Sequence, residues 1–451
     1  MARKSSLNTS LSDVKFHSIS IIDKEGKVTS IASLWNVIDL YESIFRPVIT
    51  GHISISDGLN IRSKFAFQGE EFLIISFSKP TMSLTGSAKY DKTFRITSIE
   101  DVKVSDVNKA LQYTIRFCSD ELYQSLRKKI NSTFKDAQYS DYVKQICTNN
   151  LSDETKSKIA AFETSTGPPQ THVINNYSPF QTIKFFEERS VDQVNSPFLF
   201  FENFLGFNFL PLSKMFEGSS VIPNGLVAST AKNGDDASDY VPLKFNEILN
   251  FDLKTNNVTP PNDPTKTDLL QFDIMRNNLS LFNYNVSDMD SANKTNPESL
   301  FPNPKNIEER NANQFFLISQ KGRTPQNMIY RSFQTSRNTA ISNISPYSTS
   351  LVVENNTNDE MFLAQRNSMI AFLDFTKFEN CEVAGNPAFT VGAVVDVNFP
   401  AFTPNQEIKR NMDPYITGRY LITRVRHNLT KMTGLRTFLT LNSNSPGKPL
   451  F

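Results

Sequence analysis

Residues that usually carry chemistry are scarce in this sequence. Only three cysteines occur in 451 residues, Cys118, Cys147 and Cys381, far apart and with no CxxC spacing. That excludes a disulfide framework and a zinc knuckle; they read as reduced structural thiols of a protein made in a cytoplasm. Four histidines, His17, His52, His172 and His427, stand alone in strands or linkers without a metal-ligand spacing, and such histidines are more often surface or interface residues than ligands. HExxH, GxSxG, Walker and GxGxxG patterns are absent. No apolar run approaches the roughly 18 residues of a membrane span, so membrane insertion is not expected. The first ten residues lack the apolar core of a signal peptide. Charge of one sign is also missing: 47 Lys and Arg face 46 Asp and Glu, a net of +1. Such a balance gives no field to draw in nucleic acid or an anionic membrane and little repulsion against self-association.

The remaining candidates for chemistry are weak. Glu70 and Glu71 are neighbours on a strand and point to opposite faces. Glu187 and Glu188 lie about 100° apart on a helix and read as a solvated edge. Arg127, Lys128 and Lys129 read as a solvated face. Arg419, Arg424 and Arg426 form a basic stripe that either meets an acidic partner or faces water. The search yields no catalytic, cofactor-binding or metal-binding residue and no cofactor. The chain therefore reads as a structural or interaction protein, not an enzyme.

What is abundant is phenylalanine, 37 residues against a single Trp, within a hydrophobic share of 39%. Length predicts about three domains, with Phe-filled cores. Residues 1–12 form a polar arm. Residues 13–119 read as a first β-barrel domain: Gly51, Ile53 and Ile55 alternate with polar residues before an Asp57-Gly58 turn, and Phe72 to Phe77 is a continuous apolar strand. Residues 120–217 read as an α+β domain. There Tyr142, Val143, Ile146 and Cys147 make one helical stripe. Ser178-Pro-Phe-Gln181 is a capping box, and Phe198 to Phe209 is a hairpin turning near Gly206. Residues 218–287 supply a linker, with 217–240 as a long loop, and strands for a second barrel, at Phe245 to Leu253 and Leu269 to Val286. Residues 288–357 are an Asn- and Pro-rich insert of little periodicity. Residues 358–445 hold a helix, opened by a capping box at Thr357, and the second β-barrel domain; 446–451 form a tail. In that last domain Phe389 to Val397 alternates with period two. So does Tyr415 to His427, with Tyr420, Ile422 and Arg424 on one face and Leu421, Thr423, Val425 and His427 on the other. Leu435, Thr437, Leu439 and Leu441 alternate again.

The order of motifs is recognisable: Tyr41-Glu-Ser-Ile-Phe-Arg-Pro-Val-Ile-Thr-Gly-His-Ile-Ser-Ile-Ser-Asp57, then Gly69-Glu-Glu-Phe-Leu-Ile-Ile-Ser-Phe77, Tyr113-Thr-Ile-Arg-Phe-Cys-Ser-Asp-Glu121, Ser178-Pro-Phe180 with Phe198-Leu-Phe-Phe-Glu202, Val391-Gly-Ala-Val-Val395 and Thr417 to His427. Over residues 14 to 441 the series resembles the baseplate central hub proteins of contractile-tailed, T-even type phages, related to the hub part of injection-system spike proteins. The resemblance implies a mainly β fold with α+β inserts, in which two small antiparallel β-barrels form, as a trimer, a pseudo-sixfold ring. It implies a homotrimer as partner state, with a central spike protein, a tail tube or tube-initiator protein and surrounding baseplate wedge proteins, located in the virion after assembly in the host cytoplasm. DNA would pass through the ring without specific binding. Because no β-helical segment appears before Phe451, the spike is expected to be a separate protein. The alternatives are a tail-associated receptor- or glycan-binding baseplate protein and a cell-wall hydrolase, the latter needing two carboxylates in one cleft.

Overall fold

A computed structural model describes residues 14–64, 67, 69–78, 89–104, 110–151, 159–166, 170–221, 226–228, 241–245, 263–273, 278–285, 289–297, 327–334, 359–399, 413, 416–431, 434–445 and 447. The fold is mainly antiparallel β with few helices. The first region runs β1 (Lys15–Ile22), β2 (Val28–Ser30), β3 (Trp35–Ser43), β4 (Thr50–Asp57), β5 (Phe72–Ser78), β6 (Lys89–Val104) and β7 (Leu111–Ser119), with one helical turn, α1 (Ile61–Lys64). Its order across the sheet is β3-β4-β7-β6-β5-β1-β2, every pairing antiparallel. The period-two pattern does what it predicts: in β4, Gly51, Ile53, Ile55 and Asp57 are buried and the residues between them are not. These faces close a core rich in Ile and Phe, including Ile38, Ile53, Leu73, Phe77, Phe94 and Ile115.

The middle region holds α2 (Asp120–Arg127), β8 (Ile130–Ala137), α3 (Tyr139–Ile146), β9 (Ile159–Phe162), β10 (Gln170–Tyr177), α4 (Pro179–Glu187), β11 (Phe198–Asn203), β12 (Gly206–Pro211) and α5 (Leu212–Glu217). The predicted capping box opens α4: Gln181 N donates to Ser178 Oγ at 3.3 Å and Ser178 N to Gln181 Oε1 at 2.9 Å. The predicted helix over Glu121 to Ile130 stops at Arg127, because Ile130 begins β8, which pairs with β10. The predicted hairpin is β11–β12, and Gly206 occupies a left-handed backbone (φ 136°) at its turn. All six residues of β11 are buried. Phe198 and Phe200 enter one core with Phe186, Phe207 and Phe209; Leu199 and Phe201 enter another with Phe389 and Leu421. A strand apolar on both faces is how this chain spends its phenylalanines: β11 is the wall between two cores.

The last strands are β13 (Leu226–Ala228), β14 (Val241–Phe245), β15 (Asp263–Asp273), β16 (Asn278–Asn285), β17 (Asn327–Gln334), then helix α6 (Asp359–Phe372), β18 (Thr376–Ala384), β19 (Val394–Asn398), β20 (Gly418–Thr430) and β21 (Gly434–Ser443). Several expectations need correction here. The loop expected over 217–240 contains β13, and the strand expected from Phe245 onward is Val241–Phe245, with 246–262 outside the described residues. The strands expected over 269–286 for the second barrel are instead the antiparallel pair β15–β16, in a separate three-stranded sheet with β17 parallel to β15. The Thr357 cap lies outside the described residues. Regular pairing over 389–397 begins only at Val394, since Gly392 turns the chain at φ 82° against the Phe201 ring. Within the insert, residues 291–293 form a short 3-10 turn. Its neighbours dock onto the sheet through side-chain amides: Thr295 N donates to Asn444 Oδ1 at 2.8 Å and Arg419 N to Asn296 Oδ1 at 2.8 Å.

β20 joins the two ends of the chain. It pairs with β21 on one side and with β3 on the other, so one sheet of 13 strands runs in the order β19-β13-β14-β18-β21-β20-β3-β4-β7-β6-β5-β1-β2. β19 pairs in addition with β20, so the pairing order returns upon itself through β19, β13, β14, β18, β21 and β20. The hairpin β20–β21 serves two cores: Tyr420, Ile422, Val425, Leu439 and Leu441 lie in the second, while Leu429 and Leu435 at its tip lie in the first.

Candidate functional site

The region where β3, β18, β20 and β21 meet concentrates the unusual polar chemistry. Antiparallel register sets Asp39 opposite His52 on β4 and opposite Asn428 on β20. Its buried carboxylate collects both neighbours and Arg426. Arg426 Nε and Asn428 Nδ2 donate to Oδ1 at 2.7 and 2.8 Å; Arg426 Nη2 donates to Oδ2 at 3.2 Å, and His52 Nε2 lies 3.1 Å from it. Burial opposes the charge, but hydrogen bonds from His52, Arg426 and Asn428 overcome it and hold this carboxyl well below the usual range. Arg426 is also stacked over Tyr41 and Phe438, with its guanidinium 5.8 and 5.5 Å from the ring centroids.

Beneath this network lie carboxylates that sequence reasoning did not bring together. Glu202, from the end of β11, accepts from Ile49 N at 2.9 Å, from the Ser119 hydroxyl and from Lys92. Glu42, on β3, is buried, accepts weakly from Val391 N at 3.4 Å, and its Oε1 has no partner among the described residues. Burial, resisted by Lys92, pushes Glu42 up to about 8, so it is largely neutral at pH 7. Burial and then the Glu202 charge push the half-buried Glu121 up to about 7. These groups come from β3, β6, α2 and β11, four separate stretches of chain, so no local spacing betrays them. Glu42 and Glu202 are both buried.

A groove of about 450 Å³ opens above Glu42. Two bulges flank it. In β18, Glu379 and Asn380 bulge between the pairs Phe378–Leu441 and Cys381–Leu439, with Asn380 in a left-handed backbone (φ 54°). In β20, Thr423 bulges between Ile422–Leu441 and Arg424–Thr440. Both strands flanking β21 are therefore displaced at the level of Thr440. The second bulge also corrects the predicted faces of β20. Alternation resumes out of phase after it, leaving Arg424 and Arg426 exposed while Val425, His427 and Leu429 are buried.

The other residues singled out in the sequence are scattered. His17 lies 2.8 Å from Ser78 Oγ, and Tyr139 OH lies 3.0 Å from His172 Nε2. His172 and His427 are buried rather than superficial; burial drives His427 down to about 4, its Nδ1 3.0 Å from Thr437 Oγ1. The three cysteines are free and buried. Glu70 pairs with Lys24 at 3.0 Å and Glu71 accepts from Gly69 N. Glu187 is no solvated edge: it is buried and pairs with Arg366 of α6 at 2.6 Å and Lys184 at 2.9 Å. Arg127 and Lys129 are exposed as expected. Of the basic stripe, Arg419 is occupied by Asp396 at 3.1 Å and Arg426 by Asp39, which leaves Arg424. Among the described residues no group of three His, Cys, Asp or Glu is placed to hold a metal ion, and no helix is long and apolar enough to cross a membrane.

No family model and no curated protein matches the chain. Solved structures do. A tail protein from Neisseria meningitidis MC58 is similar at a TM-score of 0.47 and 9% identity, over 95% of this chain and 96% of that one. The 43 kDa tail protein of prophage MuSo2 from Shewanella oneidensis is similar at 0.45 and 11%, over 94% and 97%. The E. coli c3393 protein, described as a type VI secretion component with structural similarity to T4 tail proteins gp27 and gp5, is similar at 0.40 and 8%, over 97% and 79%.

Proposed function

We propose that the chain is a structural hub subunit of a contractile phage tail baseplate, not an enzyme. In this reading three copies form a ring that joins a threefold central spike to a sixfold tail tube and leaves a channel for DNA, with baseplate wedge proteins around it. The observation that carries the reading is the double role of β20. It binds the first β region to the last in one continuous sheet, so each copy presents two β bodies in fixed relation, and three copies present six. The circular pairing through β19, β13, β14, β18, β21 and β20 favours a closed barrel for the second body. The first body is read as its counterpart from its similar set of short antiparallel strands, and the sequence boundaries at 13–119, 120–217, 218–287, 288–357 and 358–445 stand as part of the proposal. The order of motifs from Tyr41 to His427 supports the same assignment.

β2 ends the sheet and exposes Val28, 60% accessible, as an edge available for pairing with a neighbour. A closed threefold ring uses such heterologous edges up without open polymerisation. The DNA channel is expected to be lined by groups that do not hold phosphate, since each retained contact slows passage; a strongly positive lumen in a structure of the assembly would count against it.

Light scattering tests the reading, on the chain alone and mixed with its spike protein. The expected result is a trimer of three times 51.0 kDa, either alone or, with the mass of the bound spike in addition, once the spike is added. A monomer indifferent to the spike would overturn the proposal. A cell-wall lysis assay is expected to be negative, because the carboxylates that come together, Glu42 and Glu202, are buried beside Lys92.

A further inference from the structure

The groove between the two bulges is not used by the fold. Its wall carries three guanidiniums, Arg46, Arg424 and Arg426. Arg426 is engaged by Asp39. Arg46 and Arg424 are exposed, and neither side chain has an ion-pair partner among the described residues. The two carboxylates at the groove do not balance them: Glu379 is paired with Lys377, and Glu42 is buried beneath the floor and largely protonated at pH 7. The opening therefore holds an excess of about two positive charges on a chain that is otherwise balanced.

The second observation is apolar. Phe45, 43% accessible, forms part of this groove and also of a second cavity of about 200 Å³, lined mostly by apolar residues such as Ile44, Pro47, Phe180 and Leu199, with Glu187 and its ion-pair partners Lys184 and Arg366 also in its wall. A cationic groove and a mostly apolar cavity that share the exposed Phe45 ring match a peptide with acidic residues beside an apolar one. A nucleic-acid backbone would need cations repeated along a face; here two stand at one bounded opening. The planar fork of arginine also fits a carboxylate in a bidentate contact.

We propose that this groove docks an acidic segment of a partner protein, whose carboxylates are taken by Arg46 and Arg424 and whose apolar side chain enters the pocket behind Phe45. The site does not depend on the hub assignment, because the binding is read by anisotropy and the assembly state by mass.

The probe is a fluorescein-labelled Glu-Glu-Leu-Glu-Glu peptide titrated with the full chain at low salt. Binding is expected to weaken about fivefold in Arg46→Ala and in Arg424→Ala, to weaken further in the double variant, and to fall with added salt. Phe45→Ala is expected to weaken the peptide but not its Glu-Glu-Ala-Glu-Glu analogue. Arg424→Lys, which keeps the charge and loses the fork, is expected to lie between wild type and Arg424→Ala, while Lys129→Ala, at an exposed cation elsewhere, leaves binding unchanged. Unchanged melting temperatures show that the variants fold. The proposal is overturned by any of three results: no peptide binding to the wild-type chain, equal binding in the double variant, or capture of a single-stranded oligonucleotide in preference to the peptide.

Discussion

Strands β1 to β7 follow one another between Lys15 and Ser119 and pair without exception in antiparallel ladders. The second β body is assembled otherwise. Its strands come from Leu226–Ala228, Val241–Phe245 and the stretch from Thr376 to Ser443, and β13 pairs in parallel with both β14 and β19. Both bodies bury more than twenty hydrophobic side chains, so both are cores of domain size. They differ in where their contacts lie along the chain. Four of the six ladders of the first body join consecutive strands and close small loops, with β1–β5 and β4–β7 as its longer closures, whereas parallel partners need crossovers whose closure entropy precedes any reward. The first body is therefore expected to form early and independently of insert residues, and the second to wait for the C-terminal hairpin. That hairpin supplies Leu429 and Leu435 to the first core, so the two bodies are coupled through a tip of a few residues.

The sharpest way to break this coupling is at Gly385, where a Cβ would stand 2.1 Å from the carbonyl oxygen of Leu435. Backbone must move to admit it, so Gly385→Ala is expected to cost about 3 kcal/mol or more in denaturant titration. It is also expected to split unfolding into two transitions, with the first body surviving longer. Gly51→Ala, where the obstacles are the Phe117 ring and Asp39 O at 2.5 Å, is expected to act on the first body instead.

Next in size among the losses is Asp39→Ala. It leaves Arg426, Asn428 and His52 without their shared acceptor and removes a direct link between β3 and β20. Because Arg426 is 43% accessible, the cost is expected to be about 2 kcal/mol rather than the full cost of breaking a buried pair. The folded Asp39 carboxyl titrates below its unfolded value of 3.8. Its contribution is thus complete above that value and is lost as pH falls through the folded one; the variant and wild type should converge in stability at strongly acid pH.

Glu42 has the opposite sign. Its folded pKa, about 8, lies above the ordinary 4.5, so its penalty is absent below about 4.5 and grows as pH rises towards 8. Glu42→Gln is expected to stabilise the fold at pH 8, by on the order of 4 kcal/mol if the whole shift is expressed, and to change nothing at pH 4. A wild-type curve flat between those pH values would argue against a buried, protonated Glu42. The smallest expected effect is that of Arg424→Ala, within about 0.5 kcal/mol, since this side chain faces the open groove; a larger loss would mean that it supports the junction.

Much of this was legible. Alternation of Gly51, Ile53 and Ile55 placed β4, Tyr142 to Cys147 placed the buried stripe of α3, Ser178 to Gln181 placed the start of α4, and the Phe run placed β11–β12. Each is a local pattern whose period is fixed by backbone geometry. The failures share a cause too. β13 and β14 are short, and β8 is polar over most of its length; all three gain their pairing from partners outside their own stretch, so propensity alone did not mark them. Glu187 read as solvated because its partner Arg366 lies on a helix 179 residues away. The carboxylate cluster and the groove were invisible for the same reason, and the bulge at Thr423 reversed the phase of a strand whose alternation looked regular.

By itself the sequence determined a β-rich, Phe-filled, charge-balanced chain without a metal or nucleophile motif, because composition and short-range periodicity act through each residue's own burial and backbone preferences. Only the tertiary structure decided that one hairpin would bind both ends of the chain, that β11 would divide two cores, and that two arginines would be left facing an open groove. Those outcomes depend on which strands pair across hundreds of residues and on where a ladder slips by one residue, and neither is written in any single stretch.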